Sequence, residues 1–332
     1  MNGRCLYAIK TLNKVEMIDR NKINRVKVEE AVLEKVDHPF LPTMYARFQT
    51  ERHVNFVMEY CEGGELFELL MAQPKKRFSE QHMRFYAAEV LLALQYLHLL
   101  GYIYRDLKPE NVLLNANGHI VLSDFDLSYA AETKPIMRKI PVTQHPMRKS
   151  NTLDKPFKHR RGSMSKVKSI EGGMREMVVV AEPEAKANSF VGTEEYLSPE
   201  IINASGHDGA VDWWSLGIFM FELFYGVTPF RGSKRDETFD NVLNKRLSFP
   251  KEPEASPELK DILTQLLQKN PQQRMGAADG AEELKRHPFF ADIDFTFIRQ
   301  TQPPFVHQEG AAAAQAGSSS GKPVSKMVAT GA

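Results

Sequence analysis

The sequence predicts an α+β chain with two lobes, a small β-rich one followed by a large helical one. Three observations carry this. The 332 residues amount to about two domains or lobes at roughly 150 residues each. Strand-like runs come first along the chain and helix-like runs follow. One of those helical runs, Trp213 to Phe224, is apolar on nearly every face, as expected of a helix at a lobe's centre.

The elements follow in order. Leu6 to Thr11 and His53 to Tyr60 read as strands. Arg20 to Val36 reads as a helix, with Val26, Val32, Leu33 and Val36 in one apolar stripe. Phe78-Ser79-Glu80 marks a helix entry with Ser79 as its cap. That helix runs to about Leu100 and is ended by Gly101. Val112 to Leu114 and Ile120 to Leu122 read as short strands around an Asn117-Gly118 turn. Ser256 to Gln268 reads as an amphipathic helix.

Composition bounds the class. Hydrophobic residues make up 42%, charged residues 26% and aromatics 10%, which excludes a wholly disordered or fibrous chain. The formal net charge of +1 gives no reason to expect specific nucleic-acid binding, but it averages two unlike parts. Residues 129–188 hold 13 basic and 6 acidic side chains, with few large apolar ones, and read as a basic, disordered insert. Residues 301–332 end in an Ala run and a Gly/Ser-rich stretch and read as a disordered tail. Residues 1–128 and 189–300 carry globular patterning. Two cysteines, Cys5 and Cys61, make no disulfide framework, and no Cys/His spacing suggests zinc. The start is too polar for a signal peptide, and the apolar stretches Val90–Tyr104 and Val211–Gly226 fall short of a membrane span. The expectation is a soluble cytoplasmic protein. The insert adds a possible contact with anionic lipid, or a nuclear address in Lys158-His159-Arg160-Arg161.

The chemistry concentrates in Tyr104-Arg105-Asp106-Leu107-Lys108-Pro109-Glu110-Asn111, on a loop between the long helix and the Val112 strand. Asp106 is suited to accept a proton or orient a hydroxyl. Lys108 can neutralise a phosphoryl group, and Asn111 can offer an oxygen to a metal. Asp124 follows at the end of the next strand. Asn111 and Asp124 together make a hard-cation site suited to Mg²⁺ bridging phosphates. Any one of these pieces alone is commonly structural; their order and spacing point to phosphoryl chemistry.

With Tyr7-Ala8-Ile9-Lys10 and Ser198-Pro199-Glu200, this set resembles the eukaryotic protein kinases. The resemblance covers roughly residues 5–128 and 189–300. It implies the bilobal kinase fold, with residues 1–60 as a truncated N-lobe and residues 61–300 as the C-lobe. It implies ATP and Mg²⁺ as cofactors. Lys10, held by Glu29, would grip the α/β-phosphates. Met58, Glu59 and Cys61 would form the gatekeeper and hinge around adenine, with Glu65 beside the nucleotide. Asp106 and Lys108 would be catalytic. Glu200 would pair with Arg274, and Asp212 would brace the catalytic loop. Lys108 and Gly192-Thr193-Glu194-Glu195-Tyr196 resemble the serine/threonine class.

His38-Pro39-Phe40-Leu41, Gly63-Gly64-Glu65-Leu66-Phe67 and Val211-Asp212-Trp213-Trp214 are similar to the AGC group. Asp124-Phe125-Asp126 with the long insert is similar to its plant class of phototropin kinase domains and auxin-transport kinases. Asp126 stands where a glycine is usual, in a turn that Asp can tolerate. By the same resemblance, Glu65, Glu110 and Glu222 would read arginine two or three residues before the acceptor in a protein substrate. Ser189 would be a phosphosite paired with Arg105 and set by an upstream kinase. Arg160-Arg161-Gly162-Ser163 fits the same preference, so Ser163 is a candidate for autophosphorylation.

One family element is missing. No Gly-x-Gly-x-x-Gly precedes Lys10, so the first two strands of the small lobe are expected to be absent and the Lys10 strand to be an exposed sheet edge. The alternative reading is therefore a catalytically impaired, pseudokinase-like scaffold. A C-terminal Phe-x-x-Phe motif is also missing; the tail near Pro303-Pro304-Phe305 stops early.

Overall fold

A computed structural model of the chain describes residues 6–141, 175–181, 183, 187 and 189–306. Ser163, the Lys158–Arg161 cluster and residues 307–332 lie outside the described residues.

The small lobe is a three-stranded antiparallel sheet with helices on one side. Strand β1 (Tyr7–Asn13) runs straight into a short helix α1 (Lys14–Asp19), because the Asn13 side chain accepts from the Val15 and Glu16 amides and caps it. Helix α2 (Ile23–Lys35) follows, with Val32 and Leu33 buried. Strands β2 (Met44–Gln49) and β3 (His53–Glu59) complete the sheet in the order β1-β3-β2. Lys10 stands opposite Phe56 in this register. Among the described residues β1 has one strand neighbour, and Tyr7 and Ile9 are exposed. Helix α1 and strand β2 have no counterpart in the sequence reading. Their apolar residues are too few and too irregular to announce a period.

The large lobe begins at β4 (Gly64–Glu65) and α3 (Leu66–Ala72). Helix α4 (Glu80–Leu99) starts where Ser79 accepts from the His82 amide at 3.2 Å, and it stops before Gly101, which sits at φ +83°. Strand β5 (Tyr102–Ile103), then β6 (Val112–Leu114) and β7 (Ile120–Leu122) follow, in the two sheets β5-β8 and β4-β6-β7, where β8 is Tyr129–Ala130. Helices α5 (Pro199–Ile202), α6 (Ala210–Tyr225), α7 (Arg235–Asn244), α8 (Pro257–Leu266) and α9 (Ala281–Lys285) complete the lobe. Helix α6 is the centre: all but one of its residues are buried, and it packs on α4 and α8. Trp213 and Trp214 are fully enclosed there, each contributing on the order of the 3 kcal/mol that a large side chain gains by burial.

Two expectations of disorder need correction. The ends of the insert pair as an antiparallel ribbon of β9 (Ile136–Pro141) and β10 (Arg175–Val180), with Val180 opposite Ile136. Arg138 anchors it to the large lobe by donating to Asp279 at 2.6 Å and to the Ala278 carbonyl at 3.0 Å. Composition could not reveal this, because the strands are short and their partners lie far apart in sequence. The start of the tail is also packed. The Phe305 ring lies 5.7 Å from Phe78 and 4.9 Å from His82, and Pro303 is buried.

Candidate active site

The loop carrying Asp106, Lys108 and Asn111 lies between β5 and β6, and one buried side chain sets its path. Asp212, at the start of α6, is inaccessible to solvent. Its Oδ1 accepts from the Arg105 amide and its Oδ2 from the Tyr104 amide, both at 2.8 Å. His98 Nε2 lies 2.8 Å from the same Oδ2. These bonds hold Arg105 at φ +67°, a conformation that costs a non-glycine residue of order 1–3 kcal/mol.

That turn presents Asp106. Its Oδ2 accepts from Asn111 Nδ2 at 2.7 Å and from Lys108 Nζ at 3.0 Å. Its Oδ1 accepts from the Thr193 hydroxyl at 3.3 Å, and Thr193 in turn accepts from Lys108 Nζ at 3.1 Å. The carboxylate is thereby fixed on both oxygens. The sequence marks Thr193 only as part of the Gly192–Tyr196 motif; its bond to Asp106, 87 positions away, is set by the tertiary structure.

From the small lobe, Lys10 Nζ donates to Glu29 Oε1 at 2.6 Å and to Asp124 Oδ1 at 2.9 Å. Lys10, from β1, thus joins α2 to the strand end beyond β7. Burial alone would lower the lysine's pKa. The two carboxylates outweigh it, so the ammonium is held above its ordinary value. Burial lifts the Glu29 carboxyl despite Lys10. For Asp124 burial also pushes upward, but Lys10 prevails and the pKa falls, so its charge is secure. Asp124 itself takes the left-handed conformation, at φ +56°. Asp126 does not, which removes the need for glycine there; it faces Arg25 of α2 at 3.7 Å instead.

Asn111 spends its amide nitrogen on Asp106, on the backbone carbonyl at 2.8 Å as well as the carboxylate. The ligand atom it has to offer is a hard carbonyl oxygen. With the Asp124 carboxylate this donor set fits a hard divalent cation bridging phosphates. Met58 and Glu59, expected at the hinge, end β3, where the Glu59 amide donates to the Thr43 carbonyl at 3.0 Å. Burial, with Glu59 beside it, pushes the Cys61 thiol up to about 12, so it stays protonated and is no nucleophile.

The remaining expected residues sort into three groups. Glu200 and Arg274 form a buried bidentate pair at 2.6 and 2.9 Å. Glu110 is near enough to both Glu65 and Glu222 to act on each electrostatically. Burial first, then Glu68 and Glu110, raises Glu65; burial first, then Glu110 and Glu195, raises Glu222. Glu222 accepts from the Tyr196 hydroxyl. Arg105 donates from Nη1 to Ser189 Oγ at 2.7 Å and from Nε to the Leu127 carbonyl at 2.7 Å.

The protein kinase domain family matches residues 1–147 and 175–290. The chain belongs to the protein kinase family. This kinase domain is 46% identical over 299 residues to phototropin-2 of Oryza sativa subsp. japonica, covering 90% of this chain and 30% of that protein. It is 45% identical over 301 residues to flippase kinase 1 of Saccharomyces cerevisiae, covering 91% and 31% respectively. With the serine/threonine-protein kinase RHS3 of Arabidopsis thaliana it shares 42% identity over 319 residues, 92% of this chain and 64% of that protein. The kinase domain thus spans about a third of the first two relatives and under two thirds of the third. With the serine/threonine-protein kinase AGC1-5 of Arabidopsis thaliana, 42% identical over 319 residues, they place it in the AGC-type serine/threonine branch. Among the described residues, no helix of this kinase is long and apolar enough to cross a membrane.

Proposed function

We propose that the chain transfers the γ-phosphoryl group of ATP to serine or threonine hydroxyls of proteins carrying arginine upstream of the acceptor. The observation that carries this reading is the pairing of Lys10 with both Glu29 and Asp124, 2.6 and 2.9 Å away, beside an Asp106 fixed on both oxygens. Intact Lys10, Glu29, Asp106, Asn111 and Asp124 argue against the scaffold reading, since a retired site need not keep all five.

Lys10 would hold the α/β-phosphates, the backbone from Glu59 to Cys61 would take the adenine, and Asn111 and Asp124 would hold Mg²⁺. When bound, Mg²⁺ neutralises charge on the phosphate oxygens. Asp106 is held by Asn111, Lys108 and Thr193, so it can orient the acceptor hydroxyl and accept its proton. Lys108 supplies a positive charge beside the transferred group. Glu65, Glu110 and Glu222 supply the negative face on which an arginine side chain would be read. Ser189 is the candidate regulatory site for an upstream kinase, with Arg105 ready to pair with its phosphate. The basic insert adds a candidate contact for an anionic membrane surface.

The test is a peptide array with labelled ATP. Peptides with arginine two or three residues before serine are expected to be labelled at least about ten-fold faster than their alanine counterparts, about the value of one charge-assisted hydrogen bond. Labelling equal to that of Asp106→Asn would overturn the enzymatic reading, and indifference to upstream arginine would overturn the preference.

A further inference from the structure

His207 takes no part in the chemistry above, yet it meets the activation segment twice. Its backbone forms a bridge with Ala187: the Ala187 amide donates to the His207 carbonyl at 3.3 Å, and the His207 amide donates back at 3.1 Å. Its side chain accepts at Nε2 from Arg105 Nη1 at 3.2 Å. The same Arg105 nitrogen donates to Ser189 Oγ, two residues beyond Ala187. Two atoms that share Nη1 at 2.7 and 3.2 Å are at most about 5.9 Å apart, within reach of a phosphoryl group. The imidazole is 4% exposed, so little water competes for it.

We propose that His207 is a second reader of a phosphate on Ser189, so that the activation segment is held by an arginine–histidine pair whose grip weakens as pH rises. The proposal rests on the regulatory role of Ser189. Phosphorylation forms the Ser189 Oγ–P bond, breaks the bond from the γ-phosphorus to ADP, and releases the hydroxyl proton. Before that step Arg105 faces the ring as a cation. Protonating His207 would then set two positive charges side by side. Burial first, and Arg105 second, hold its pKa below the ordinary histidine value, while Glu200, Asp212 and Asp208 oppose them. A phosphate reverses the balance. Its second negative charge, gained at a pKa of about 6, can sit between both cations, and Nε2 turns from acceptor to donor. Linkage makes the effect reciprocal. If protonated His207 strengthens the phosphate's hold about ten-fold, the phosphate raises the imidazole pKa by about one unit.

The sign follows from that rise. In the phosphorylated chain the extra hold is present while His207 is protonated and is lost as pH rises through its raised pKa. Below about pH 6 it weakens again, because the phosphate loses charge.

The experiment compares the full chain phosphorylated at Ser189 with its His207→Gln variant. Two readouts are followed from about pH 6 to 9, the span over which phosphate and imidazole change charge. One is removal of the phosphate by an added phosphatase. The other is the ³¹P signal of the phosphoserine. Wild type is expected to resist dephosphorylation about ten-fold better than the variant near neutrality, with the advantage fading at high pH. Its ³¹P titration should show a second inflection. Equal protection at every pH, or a wild-type ³¹P titration like that of free phosphoserine, overturns the proposal. Should His207→Gln not fold, the wild-type ³¹P titration decides alone. Peptide turnover is measured on the same samples. If it is unchanged by phosphorylation, the regulatory reading of Ser189 fails, while the ³¹P titration still judges the His207 contact.

Discussion

Replacing Asp212 by asparagine tests whether one buried carboxylate sets the catalytic loop. The carboxylate offers two acceptor oxygens and receives two backbone amides, one on each oxygen, with His98 on Oδ2 as well. An asparagine offers one oxygen and one NH₂ group. If the oxygen faces the Arg105 amide, the NH₂ faces the Tyr104 amide, donor against donor. One buried N–H is then left without an acceptor, at a cost of about 1–3 kcal/mol, and the surviving bonds lose the strengthening a charged acceptor provides. A total of about 2–4 kcal/mol lowers the melting temperature by about 5–15 °C for a domain of this size. The same loss frees Arg105 from its left-handed conformation and lets Asp106 drift, so turnover should fall by more than stability alone accounts for. The assay pairs thermal denaturation with the peptide phosphorylation rate measured well below the variant's melting point. A melting temperature within about 2 °C of wild type, together with unchanged turnover, would refute the argument, because about 1 kcal/mol is the least an orphaned buried amide costs.

Three further outcomes follow from the same geometry. Glu29→Gln removes one of the two carboxylates on Lys10, and kcat/KM for ATP should fall about ten- to hundred-fold, the value of a charge-assisted bond; a change under about two-fold would contradict this. Gly118→Ala should destabilise the fold by at least about 1 kcal/mol in equilibrium denaturation and expose the chain near Phe305 to protease. Gly118 sits at φ +86°, and a Cβ there would lie 1.9 Å from the Phe305 carbonyl oxygen. Lys269 lies over the Phe230 ring at 3.7 Å, and burial, then Arg274, push its pKa down to about 8 from 10.5. Between those values the unfolded chain keeps the proton and the folded chain does not, so stability should rise with pH over that window. Lys269→Met should abolish this component in denaturation curves taken at its two ends.

Local chemistry made part of the site legible in advance. The run from Arg105 to Asn111 carries the candidate catalytic, charge-neutralising and metal-binding groups within seven positions. Ser79 and Gly101 frame α4 through short-range capping and a left-handed turn, both readable from neighbours in sequence. Illegible features depended on partners far away. Helix α1 is stabilised by a single Asn13 cap, and β2 by pairing with β3, so neither has a strong period of its own. The insert ribbon needed its two strands brought together from either side of 33 intervening residues, and its anchor Asp279 lies 141 positions from Arg138.

The sequence by itself determined the types of group available and their local spacing: an acid, a lysine and an amide on one loop, a lysine on a strand, and a net-basic insert set in a near-neutral chain. The tertiary structure decided which of these groups act together. Lys10 meets Asp124 across 114 positions, Asp212 reaches the catalytic loop across 107 and 108, and His207 shares Arg105 with Ser189. The physical reason is range. Caps, turns and contiguous motifs are set by bonds within a few residues. A charge circuit whose members lie more than a hundred positions apart exists only after α6 and the sheets have packed and brought them together.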